Sequence, residues 1–180
     1  MVCADEMEQH VRSEMIGTGE PVSHGTSSMV IANNQLMGIQ FQTAGIPANA
    51  EIGDVMLTLE MFGNEWLALD DTVQQVAILN VTIQAHSSAV SADLRYDEND
   101  ISTRQLTETK VYWSIPRQAD HAVIETPDIG DIFRELQNQA GWTELSSVTI
   151  VLSPVDPTDA DEPGAYRTFK SPKSTNVRLT

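Results

Sequence analysis

The sequence predicts an all-β domain, a jelly-roll-like β-sandwich with one packed α-helix over about residues 127–139, and three observations predict it. Apolar residues alternate with polar ones in run after run. The runs are short and are separated by turns rich in Gly, Pro, Asn and Asp. One segment alone carries its apolar residues at helical spacing.

The strands follow in order. Ser28 to Ala32 forms the first. In Leu36 to Gln42, Met37, Ile39 and Phe41 alternate with Gly38, Gln40 and Gln42, the pattern of a strand with one buried face and one wet face. Gly45 and Pro47 then break the period and make a turn. Asp54 to Phe62 alternates through Val55, Leu57 and Leu59, and Val76 to His86 through Leu79, Val81, Ile83 and Ala85. Shorter strands are expected at Lys110 to Ile115, Ser147 to Leu152, Ala165 to Phe169 and Asn176 to Leu179. Eight or so short strands with polar turns indicate a sandwich or a barrel. The helix is expected from Pro127 to Gln139, with Ile129, Ile132, Phe133 and Leu136 as its apolar stripe. Thr126 is placed to cap it, Pro127 suits the first turn, Asp128 and Asp131 favour its positive end, and Gly141 stops it.

Composition sets the outer limits. The 180 residues are enough for one domain with a full core, taken as residues 1–180 with 1–5 a flexible start. Asp and Glu number 26 against 10 Lys and Arg, a formal net charge of −16, and the lysines are only Lys110, Lys170 and Lys173. Such a surface repels phosphates and anionic headgroups, so neither nucleic acid nor membrane insertion is expected. No apolar run approaches the ~20 residues of a membrane helix. The single cysteine, Cys3, excludes an internal disulfide and has no Cys or His at metal spacing.

Several phrases together resemble a β-sandwich domain family of large bacterial extracellular and surface proteins, akin to jelly-roll carbohydrate-binding modules. Glu6-Met7-Glu8-Gln9 is similar to its acidic opening, Ser27 to Val30 and Gly38-Ile39-Gln40-Phe41 to its early strands, and Ile46 to Ile52 to its Ile-Pro turn. Asp100 to Arg104, Thr107 to Trp113 with Pro116, Glu125 to Ile129, Gly141-Trp142 and Val177-Arg178-Leu179 match later phrases in order and spacing. The resemblance implies a secreted or cell-surface location and core roles for Trp113 and Trp142. Related modules hold calcium between acids near the termini. Here Gln9, Lys170 and Lys173 stand where carboxylates are expected, which speaks against such a site at Glu6 and Glu8.

Three chemistries are then weighed. Calcium needs hard oxygen ligands on loops. Asp156, Asp159, Asp161 and Glu162 either converge on one ion or form a solvated acidic turn, and the same holds for Asp97, Glu98 and Asp100. Sugar binding needs an exposed aromatic ring. Trp66, in a Gly-Asn-Glu-Trp loop, is the first candidate, with Tyr96 and Tyr112 next. Catalysis has no signature. His10, His24, His86 and His121 are scattered, and there is no HExxH, Gly-x-Ser-x-Gly or phosphate-binding glycine loop. The expectation is therefore a non-catalytic extracellular binding or adhesion module whose partner is carbohydrate. The alternative is a subunit of a surface layer, filament or matrix that self-associates through sheet edges or divalent cations.

Overall fold

A computed structural model describes residues 9–15, 21–24, 28–32, 35–41, 44–62, 78–89, 91, 94, 100–116, 121–155, 166–170 and 178–179. Among them are eleven strands and one helix. The strands are β1 Gln9–Met15, β2 Pro21–His24, β3 Ser28–Ala32, β4 Gln35–Phe41, β5 Leu57–Glu60, β6 Leu79–Ala85, β7 Val111–Ile115 and β8 Val123–Glu125. After the helix α1, Gly130–Gln137, come β9 Val148–Pro154, β10 Tyr166–Lys170 and β11 Arg178–Leu179. The chain is mostly β, as the alternation predicts.

Every strand pair is antiparallel. The larger sheet runs β10-β3-β4-β9-β6-β7, with β1 paired to β4 and β2 to β1. β3 meets β4 at one pair, Ala32 with Gln35, while β1 lies along the whole of β4, from Gln9 opposite Phe41 to Met15 opposite Gln35. The long ladders therefore continue through β1 and β2, and β3 and β10 swing off at a corner. The smaller sheet is β11-β5-β8. A bridge between Met61 and Phe169, with the Phe62 N–H donating to Thr168 O at 2.9 Å, carries β10 onto the end of β5.

Both sheets and the helix bury into one cluster. β3 contributes Met29 and Ile31, β4 Met37, Ile39 and Phe41, β6 Leu79, Val81 and Ile83, β9 Ile150 and Leu152, β5 Leu57 and Leu59, and α1 Ile132, Phe133 and Leu136. Alternation in the strands and helical spacing in α1 turn these side chains inward, and removing them from water supplies most of the folding free energy. Trp113 and Trp142 belong to the same cluster, as the resemblance implies. The buried Arg167 of β10 reaches β7, donating to Ile115 O at 2.7 Å and Pro116 O at 3.2 Å. That covers carbonyls at the end of β7 that would otherwise invite another strand.

Three sequence expectations need correction. β4 is not half-wet: Leu36 to Phe41 are buried throughout, because a second small cluster of Leu36, Ile101 and Val151, with Leu94 and Leu106, covers its other face. Gly38 leaves room for that cover, since a Cβ at this position would sit 3.1 Å from Ile101 Cδ1, a tight contact. The helix is shorter than 127–139, spanning Gly130–Gln137. Thr126 does not cap it; the cap position is Ile129, without a side-chain bond. Thr126 is instead buried at the end of the β5–β8 ladder, where its Oγ1 accepts the Leu57 N–H at 3.0 Å. Ladder bonding competes for the residues before the helix and wins. Asp128 makes the transition, its Oδ1 accepting N–H groups from both Val55 and Gly130 at 2.8 Å. Those bonds, the Val55 one foremost, hold its carboxyl below the usual aspartate range. Past Gln137 the chain turns through Asn138 in right-handed geometry, and only at Gly141, φ 92°, does it cross into the left-handed region.

α1 is also a clasp. Arg134 donates to Ile52 O at 2.7 Å, and Gln137 Nε2 to Pro47 O and Ala50 O at 2.8 and 2.9 Å. Glu135 accepts the Glu108 and Thr109 N–H groups at 2.9 and 2.8 Å. Three polar side chains of one short helix thus fasten two loops distant in sequence.

Candidate binding face

The face opposite the main core, where β9, β6 and β7 lie side by side, carries the one sequence-predicted ligand residue that falls among the described residues. In β6, Leu79, Val81, Ile83 and Ala85 point inward, so Asn80, Thr82 and Gln84 point outward. In β7, Trp113 and Ile115 point inward and Tyr112 and Ser114 outward. Register then aligns them. Tyr112 stands opposite Thr82, which stands opposite Ser153, and Ser114 stands opposite Asn80. With strands spaced about 4.8 Å apart, the row from Tyr112 to Ser153 is about 10 Å wide.

Tyr112 is 61% exposed, and the Lys110 ammonium lies 5.6 Å from its ring centroid. Ser114 Oγ donates to Asn80 Oδ1 at 2.7 Å, and Thr82 Oγ1 donates to Ser153 O at 3.4 Å. Ile78 and Val155, both exposed, flank Asn80, and the Val155 N–H donates to Asn80 O at 3.0 Å. The face therefore offers an accessible aromatic ring beside short hydroxyl and amide groups on a rigid sheet. Such a ring stacks on the C–H face of a sugar, while the hydroxyls and the amide exchange hydrogen bonds with its oxygens.

A strap bounds this face. It is the segment between β6 and β7, described at 86–89, 91, 94 and 100–110. Gln84 Nε2 donates to Thr107 O at 2.6 Å, and Thr107 returns through its Oγ1 to the Ala85 N–H at 3.1 Å. Deeper, the fully buried Gln40 of β4 uses both ends of its amide on the strap, donating to Ser91 O and accepting from the Leu94 N–H. Arg104 Nη2 pairs with both carboxylate oxygens of Asp100 at 3.1 Å, and its Nη1 donates to Ser91 Oγ at 3.0 Å and to Thr149 Oγ1 at 3.3 Å. Ser91 Oγ also meets Thr149 Oγ1 at 2.6 Å and His86 Nδ1 at 2.9 Å. Burial holds His86 below its ordinary value, the Arg104 charge lowers it further, and Asp100 acts the other way. The Ser91 hydroxyl is 3% exposed and committed to three partners, the geometry of a fastening rather than of a nucleophile.

The other predicted site residues are distributed as follows. Trp66 and Tyr96 lie outside the described residues, as do the acids Asp156, Asp159, Asp161 and Glu162, together with Asp97, Glu98 and Cys3. Asp100 is held by Arg104. Among the described residues, no group of three or more His, Cys, Asp and Glu is placed to hold a metal ion. Among them also, no helix is long and apolar enough to cross a membrane. His121 is far from His86 in the chain and pairs with Glu60 at 3.1 Å. Sequence reasoning missed the polar row beside Tyr112. Its signal was the outward register of β6, where Asn80, Thr82 and Gln84 are all hydrogen-bonding residues. No protein-family model matches the chain, and no curated protein matches it significantly.

Proposed function

We propose that the chain is a non-catalytic binding module of a secreted or cell-surface protein and that the outer face of β9, β6 and β7 takes carbohydrate. The observation that carries this reading is Tyr112, an aromatic ring left 61% exposed on a strand whose neighbour Trp113 is buried. An isolated exposed tyrosine is ordinary. This one adjoins Asn80, Ser114 and Thr82 in register, and that combination matches what a sugar requires. Two antiparallel sheets with a shared core, joined by the Met61–Phe169 bridge, support a jelly-roll-like sandwich as the scaffold. The sequence phrases similar to extracellular sandwich domains point the same way.

The test is titration against a panel of neutral polysaccharides, followed by Tyr112→Ala. Loss of the stacking ring is expected to weaken binding about tenfold, equivalent to ~1.4 kcal/mol, with an unchanged Tm. If every glycan fails to bind, or if the variant binds as well as the parent, the proposal is wrong.

Ile78 and Val155, 55% and 47% exposed beside the same row, favour a second reading in which this face joins subunits of a surface assembly. Sedimentation that rises with concentration and is reversed by Ile78→Asp assigns it instead.

A further inference from the structure

We propose that His86, Ser91, Thr149 and Arg104 form a proton-counting latch, which holds the strap on the sheet while His86 is neutral and loosens it when the imidazole takes a second proton. The inference is independent of what the outer face binds.

It rests on counting hydrogens around one buried hydroxyl. A serine hydroxyl has one hydrogen to give and two lone pairs to receive with. One lone pair of Ser91 Oγ is taken by Arg104 Nη1–H, at 3.0 Å. Two contacts remain, to Thr149 Oγ1 at 2.6 Å and His86 Nδ1 at 2.9 Å. With His86 neutral and its hydrogen on Nε2, Ser91 donates to Nδ1 and Thr149 donates to Ser91. Both hydroxyl hydrogens then have an acceptor and both lone pairs of Ser91 are used. The network thereby assigns the Nε2–H tautomer.

A second proton must go on Nδ1 and point at Ser91 Oγ. Ser91 is forced to turn its own hydrogen to Thr149. Among the described residues, the Thr149 hydroxyl hydrogen then has no acceptor, in a residue with 0% exposure. At the same time two cations, imidazolium and guanidinium, donate to one oxygen. Of the charged groups acting on His86, Arg104 opposes the added proton and Asp100 favours it, and Asp100 is already committed to Arg104. Among the described residues, the other side chains bonded to Ser91, those of Gln40 on β4 and of Ser147, are neutral. The depressed proton affinity of the ring agrees with this count.

The sign follows from linkage. The unfolded chain binds the proton near the ordinary value of 6.5 and the folded chain only at lower pH. The latch therefore contributes fully above that value and is lost as pH falls below it, levelling off once the folded form is also protonated. One proton sets the limit: the closed-to-open ratio falls by at most about tenfold per pH unit.

The experiment is a nitrogen-resolved NMR titration of His86 in the intact chain from about pH 8 to about 5, above the range where ordinary carboxylates titrate. Amide exchange at Ser91 and Leu94 is followed in parallel and corrected for intrinsic rates. Expected are the Nε2–H tautomer at high pH, a midpoint below 6.5, and protection at both amides that falls through that midpoint. His86→Gln, which accepts from Ser91 at every pH, is expected to abolish the fall. An Nδ1–H tautomer, a midpoint at or above 6.5, or the same acid loss in His86→Gln overturns the latch. The tautomer and the midpoint are read on the unmodified protein, so the result stands even if the variant folds poorly.

Discussion

Phe133→Ala is expected to lower the free energy of unfolding by about 3–5 kcal/mol, the range for deleting a fully buried phenylalanine. The ring is 0% exposed, and it sits on α1 in the cluster shared with both sheets. The upper part of the range applies because the helix is not free to slide into the cavity. Arg134, Glu135 and Gln137 hold it to backbone at Ile52, Glu108 and Thr109, and Pro47 and Ala50. Urea denaturation measures it as a lower midpoint with an unchanged m-value. Leu145→Ala, 72% exposed, is the control and is expected to stay within about 0.5 kcal/mol. A change below about 1 kcal/mol for Phe133→Ala would show that α1 is not an integral part of the core.

The second large effect is at the strap. Arg104→Leu is expected to cost about 2–4 kcal/mol, because it takes the cationic partner from a largely buried carboxylate and leaves two buried hydroxyls without that donor. The Arg104 side chain is 6% exposed and that of Asp100 is 15%, so Asp100 keeps some water and the loss stays below the limit for a fully buried pair. The double change Arg104→Leu with Asp100→Leu is expected to recover part of the loss, since removing both charges is milder than stranding one. A four-way cycle of unfolding free energies gives the coupling. Additive single changes would mean that the bidentate pair does not hold the strap.

The period of two made most strands legible, because it reports which side of a sheet faces the core. It placed Leu57, Leu59, Leu79, Val81 and Ile83 inward, and they are buried. The same rule puts Tyr112 outward and Trp113 inward, so part of the face was readable. It failed at β4, where Gly38 and Gln40 look like solvent-side residues until Ile101 and Ser91, more than fifty positions later, arrive to cover them. No local pattern encodes such a cover. β1 was missed because Gln9 to Met15 has few large apolar residues, and pairing with β4 defines it as a strand. The helix was recognised by type but not by start, since Thr126 and Asp128 spend their oxygens on the neighbouring chain at Leu57 and Val55. The hydroxyl network of Ser91 and Thr149 has no sequence signal at all; common residues acquire it only through register.

The pairing of β3 with β10 and of β5 with β11 bears on how a ribosome delivers this chain. The strands that complete β3 and β5, β10 and β11, follow them in the chain only after β9. Closing such long loops is entropically costly and slows folding. For that interval Met29, Ile31, Leu57 and Leu59 face water on strands with open edges, the state in which nascent chains stick to one another. The acids that dominate the composition, 26 against 10 basic residues, repel one copy from the next during the wait.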